Sequence, residues 1–189
     1  MRYFLDTEFA ERQGSIELIS LGIVAEDGRE FYAENVDFDQ RMGNDWVRAN
    51  VVPQLWMEQK DRMLFSDWLR DGNHGGLHRL YMIGDVVRDF IGNDTPEFWG
   101  YYADYDWVVF CWLFGAMIDL PKGWPMYCRD LKQWCDQLGN PQLPQQGRGE
   151  HHALADARWN KVAWEFLQAE NDRLSGNLRA MGGIDASSR

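Results

Sequence analysis

Positive charge is what this sequence has least of. Lys and Arg number 19 against 30 Asp and Glu, which leaves a formal net charge of −11 and a sequence pI near 4.7. Neutralising many phosphates takes clustered basic residues, so a broad nucleic-acid-binding surface is excluded. An enzyme that grips a strand end through metal ions is not, because such ions bring their own charge. Cysteine is scarce as well. Cys111, Cys128 and Cys135 are an odd set without metal-site spacing, among apolar or aromatic neighbours. They are expected to be reduced, mostly buried thiols of a cytoplasmic protein. Long apolar runs are missing too. No stretch approaches the roughly 20 residues of a membrane span, and acids stand at once where a signal peptide would be apolar. A soluble protein without a membrane partner is expected.

What is present is material for a core. Apolar residues make up 45% of the chain and aromatics 14%, with ten Trp, so a disordered chain is excluded. At 189 residues the chain fits one domain. It is expected to occupy residues 1–174, with 175–189 as a partly disordered tail.

The first third reads as a three-stranded antiparallel meander. "RYFLDTEFAE" opens it, a turn at Arg12-Gln13-Gly14 leads into "SIELISLGIVAED", and Asp27-Gly28 is a two-residue hairpin signal before "REFYAEN". Residues 44–69 turn helical in pieces, with Trp46, Val47, Trp56, Phe65, Trp68 and Leu69 facing inward. "DGNHGG" reads as a loop. Residues 77–91 carry Leu80, Ile83, Val87 and Phe90 at helical spacing, closed by Gly92. A short aromatic strand at 95–102 follows, then helices at 104–115 and 129–138. A Gly/Pro/Gln-rich loop precedes a last helix over 152–174. Trp112, Trp134 and Trp164 fall at core spacing. The order predicts an α/β protein with a central mixed β-sheet, its three N-terminal strands antiparallel, flanked by helices.

One feature of the first strand resists a packing explanation. Asp6 and Glu8 are two apart and so share a face. Paired carboxylates repel, and burial adds to the cost unless something positive lies between them. An edge strand with its acids in water is the alternative. Two later acids bear on the choice: Asp106 at the start of a helix, and Asp156 in the first turns of the last one. Singly, each has an ordinary explanation as a helix-terminal or solvated acid. Together they could hold two divalent cations, for which carboxylate oxygens are the natural ligands. Two such ions serve phosphodiester hydrolysis by stabilising attacking and leaving oxygens, and a nearby His can take the water's proton. His151 and His152 are both near. On a regular helix His152 would share a face with Asp156.

"FLDTEF", "YYADYD" and "HHALADA", in that order, resemble the three motifs of the DEDDh 3′–5′ exonucleases, a family with an RNase-H-like fold. The likeness is closest to its small stand-alone bacterial exoribonucleases, RNase-T-like in fold, and covers about residues 2–170. It implies that Asp6, Glu8, Asp106 and Asp156 bind two Mg²⁺ (or Mn²⁺), and that His151, which the third motif selects over His152, is the general base. It also implies single-stranded RNA 3′ ends or nucleotides as partners, nucleoside 5′-monophosphates as products, and a homodimer. Phe9 could stack on a terminal base, with Thr7 and Arg158 as further substrate contacts; Arg12 and Arg148 are other basic residues near the motifs. Two departures touch substrate handling: Tyr101 and Tyr102 replace a His-Asn pair, and Phe9-Ala10 stands where a Thr-x-Gly is common. A DNA exonuclease of the same family and a catalytically idle strand-end-binding module are the alternatives.

Overall fold

The structure is a computed structural model that describes residues 1–58, 68–69, 73–147 and 149–182, without the side chains of 177–182. Expectations at Phe65, Arg148 and residues 183–189 lie outside the described residues. Strands β1 (Arg2–Arg12), β2 (Ser15–Ala25) and β3 (Glu30–Asn35) form the antiparallel meander. Gly14 at φ +80° and Gly28 at φ +94° take the left-handed backbone that its two tight turns require. Helix α1 (Asp45–Asn50) follows, and strand β4 (His74–His78) returns parallel to β3. Beyond it come α2 (Leu80–Ile91), β5 (Glu97–Gly100), α3 (Asp104–Trp112), β6 (Arg129–Asp130), α4 (Leu131–Gln137) and α5 (Ala153–Gly182). The six strands make one mixed sheet in the order β4-β3-β2-β1-β5-β6, with β5 parallel to β1 and β6 parallel to β5.

The alternation along β1 divides the core into two layers. Tyr3 and Leu5 join Leu21, Ile23 and Phe31 against Ile83, Val87 and Phe90 of α2 and Phe110 of α3. Phe4 points the other way, its ring 6.0 Å from that of Trp164 on α5. On that second face Val24 and Tyr32 pack on Ala153, Leu154 and Ala157. Asp6 and Glu8 have the parity of Phe4, so the pleat aims them towards α5.

Four expectations are corrected. The segment "HGGLH" is a strand, not a loop running into a helix. Its two glycines carry no strand propensity, and β3 orders it from outside; a Cβ on Gly75 would stand 1.8 Å from the Tyr32 carbonyl oxygen. Helix α2 accordingly begins only at Leu80, which is itself exposed. The last helix continues past 174 to Gly182, since the roughly 1 kcal/mol cost of a lone Gly176 is offset by helix-forming neighbours. Trp46 and Trp112 are 51% and 53% exposed, and Leu69 is exposed as well. Helix α1 is too short to bury more than Val47, and Trp112 closes the last turn of α3. Trp134 and Trp164 pack against Leu131, Cys135, Ala163 and Leu167. The three cysteines are free, two of them buried. Among the described residues no helix is long and apolar enough to cross a membrane.

Candidate active site

A glycine lets the last helix reach the first strand. Gly22 is the register partner of Asp6, and a Cβ there would lie 2.3 Å from the backbone oxygen of Ala153. With no side chain in the way, the first turn of α5 settles directly on the sheet. Asn160 pins the contact, its buried side-chain amide donating to the carbonyl oxygen of Leu5 at 2.9 Å. Asp156 is thereby brought over β1. Carboxylate oxygens of Asp6, Glu8 and Asp156 lie within 4.8 Å of one another.

Asp106 enters from α3. Its Oδ1 accepts the backbone N–H of Thr7 at 2.7 Å and the Thr7 hydroxyl at 2.6 Å, both buried. The start of α3 is tied down through the Ala103 N–H, which donates to Asp130 Oδ2 at 2.8 Å. The four acids form one electrostatic cluster. Burial first, then the charges of Asp106, Glu8 and Asp156, raise the Asp6 carboxyl well above its ordinary range. Burial and Asp156 push Glu8 up to about 9. Asp106 and Asp156 are pushed by burial to about 6, against hydrogen bonds that favour their charged forms. Among the described residues no Lys or Arg is paired with any of the four.

The two histidines part company. His151 sits at φ +70°, and its backbone N–H donates to Asp156 Oδ2 at 3.0 Å. Its ring meets Trp46 nearly edge-on, centroids 4.8 Å apart. The imidazole of His152 is turned into the core, stacked on Tyr32 at 4.4 Å and beside Trp56 at 5.6 Å. Burial pushes it down to about 4.

The expected substrate contacts fare unevenly. Thr7 is only 5% exposed and donates both its backbone N–H and its hydroxyl to Asp106. The Arg158 guanidinium is held by Glu30 through bonds of 2.6 and 2.7 Å. Arg12 donates to the carbonyl oxygen of Met42 at 2.8 Å. Phe9 is half-buried, in an edge contact with Tyr105 at 5.9 Å. Tyr102, one of the two departures in the second motif, is 64% exposed with φ +54°.

Three residues that build the site lie outside the motifs. Gln146 donates its side-chain amide to Asp156 Oδ1; it lies in a Gln- and Pro-rich run whose composition carries no such signal. Asn160 looked like any polar helix residue. Gly22 did carry one, since a lone Gly within an apolar strand marks a close backbone approach.

The sheet thus carries buried and half-buried acids from its first strand, a central helix and its last helix to one place. Residues 1–168 match the family described as the 3′-5′ exoribonuclease Rv2179c-like domain. Two relatives from Mycobacterium tuberculosis, named 3′-5′ exoribonuclease Rv2179c (strain H37Rv) and 3′-5′ exoribonuclease MT2234.1 (strain CDC 1551), are each 36% identical over 187 residues. The alignment covers 95% of this chain and the whole of each relative. The chain belongs to the Rv2179c-like 3′-5′ exoribonuclease family, and it is an enzyme of the exoribonuclease class.

Proposed function

We propose that the protein is a divalent-metal-dependent exoribonuclease of the DEDDh type on an RNase-H-like fold. It shortens single-stranded RNA from the 3′ end and releases nucleoside 5′-monophosphates. The observation that carries this is the meeting of Asp6, Glu8 and Asp156, with oxygens within 4.8 Å of one another, and of Asp106, whose charge acts on Asp6 and Glu8, in a partly buried site where among the described residues no Lys or Arg is paired to them. Four carboxylates without a counter-charge are costly unless cations fill the gap. Their all-oxygen donor set fits Mg²⁺ or Mn²⁺.

When bound, two such ions offset the carboxylate charge and stabilise the attacking and leaving oxygens of an in-line phosphodiester displacement. The chain's own residues supply the rest. Asp6, Glu8, Asp106 and Asp156 hold the ions. Thr7 keeps Asp106 ionised and aimed by donating two hydrogen bonds to one oxygen. Asp156 accepts the His151 N–H, which anchors the backbone from which that imidazole extends. The imidazole then accepts the proton of the attacking water. The homodimer and the preference for RNA over DNA rest on the family resemblance, and the cytoplasmic location on the scarce, unpaired cysteines.

The test is hydrolysis of 5′-end-labelled and 3′-end-labelled single-stranded RNA and DNA in Mg²⁺, Mn²⁺ or EDTA. Stepwise shortening of 5′-labelled RNA and release of a labelled mononucleotide from 3′-labelled RNA, both abolished by EDTA, support the proposal. Equal or faster loss of DNA removes the ribonuclease preference. Cleavage undiminished by EDTA removes the metal.

A further inference from the structure

Among the described residues Trp46 belongs to none of the core clusters. It is the second residue of α1, a helix anchored through its neighbour Val47, which is buried with Ala10, Ile19 and Val51. Asn44 caps that helix, its side-chain oxygen accepting the Val47 N–H at 2.8 Å. Successive helix residues point about 100° apart, so the anchoring of Val47 turns Trp46 away from the core. Half its surface stays in water, and it makes an aromatic contact with His151 at 4.8 Å with the ring planes 79° apart. Near-perpendicular rings at this spacing are a favoured arrangement, because the positive edge of one meets the negative face of the other.

His151 is in need of such a partner. Its backbone is held in the left-handed region, and its N–H is fixed on Asp156. The backbone conformation narrows the choice of χ1, but neither constraint fixes the ring at the end of the side chain. Among the described residues the imidazole nitrogens make no hydrogen bond. Among the described residues the one aromatic partner of the ring is the Trp46 indole.

We infer that Trp46 is a positioning residue, whose indole holds the His151 imidazole in the orientation needed to take a proton. This rests on the reading of His151 as the general base. A general base must stand within hydrogen-bond reach of the proton it takes, and a misplacement of about 1 Å can cost about 100-fold in rate. A loose ring would spend most of its time out of reach.

The experiment combines a double-mutant cycle with NMR of the metal-free protein. Trp46→Ala is expected to lower kcat about 10- to 100-fold with KM for a short RNA little changed. Trp46→Phe, which keeps an aromatic face, is expected to recover most of that loss. In a His151→Ala background, Trp46→Ala should cost nothing further, because the residue it positions is gone. The imidazole resonances of His151 should shift in Trp46→Ala while those of His152 stay in place. Wild-type turnover by His151→Ala overturns the base reading and this inference with it. Additive losses, or a raised KM with kcat kept, overturn the positioning role alone; so do unmoved His151 resonances.

Discussion

Thr7 donates both its backbone N–H and its hydroxyl to the same oxygen of Asp106, at 2.7 and 2.6 Å. The pair joins β1 to α3 across 99 residues of sequence. The two donors favour the charged carboxylate, against a burial that pushes it up to about 6. Thr7→Val keeps the shape and the backbone bond but removes the hydroxyl. Asp106 should then rise further and bind cations less well. Metal affinity is expected to fall about 10- to 100-fold, as for other losses of a group that orients a ligand. Calorimetric titration with Mn²⁺ reads this directly, and unchanged affinity counts against the role given to Thr7.

The metal-free protein should lose stability as pH rises. Glu8 is pushed up to about 9 and Asp6 well above the carboxylate range when folded, whereas in the unfolded chain both titrate near 4. Between those limits the folded state binds more protons, so raising the pH favours unfolding. Below about pH 6.5 His152 acts in the opposite sense, since burial pushes it down to about 4 and an acid solution must charge a ring the core excludes. The clean window is therefore about pH 7 to 8.5. Melting temperatures in EDTA should fall across it, less so in Glu8→Gln, and Mg²⁺ should cancel the trend. A flat profile in EDTA would speak against a buried acid cluster.

Gly22→Ala tests how the last helix reaches the sheet. The added methyl would meet the Ala153 carbonyl, and backbone at that distance does not yield cheaply. A loss of about 1–3 kcal/mol in urea unfolding is expected, together with reduced activity, because Asp156 travels with the same turn. Full activity and stability would mean that α5 is not seated as described.

Arg158→Ala separates an ion pair from a substrate contact. Its side chain is 51% exposed and paired with Glu30. A pair this open contributes about 0–1 kcal/mol. Stability should therefore drop slightly and KM for RNA should stay put. A several-fold rise in KM would return Arg158 to the strand path.

How much of this was legible beforehand follows from physical range. Asp6 and Glu8 could be read because strand periodicity is local, and "YYADYD" and "HHALADA" because motif order survives any loop between them. That Asp156 arrives over Asp6 depends on Gly22 and Asn160, contacts spanning more than a hundred residues that no periodicity encodes. Strand β4 was hidden because its glycines are strand residues only beside β3. Trp46 and Trp112 misled for the opposite reason. Helical spacing tells which residues share a face, not whether anything covers it, and α1 and α3 leave both in water.

The claim on which the rest depends is that acids from β1, α3 and α5 form one cation site. Calorimetric titration of the purified protein with Mn²⁺ at pH 7.5, beside Asp6→Asn and Asp156→Asn, tests it most directly. The account predicts saturable binding approaching two ions per chain, lost or reduced to one in each variant while both stay folded. Absence of binding to the folded wild type, or the same stoichiometry and affinity in both variants, would contradict it.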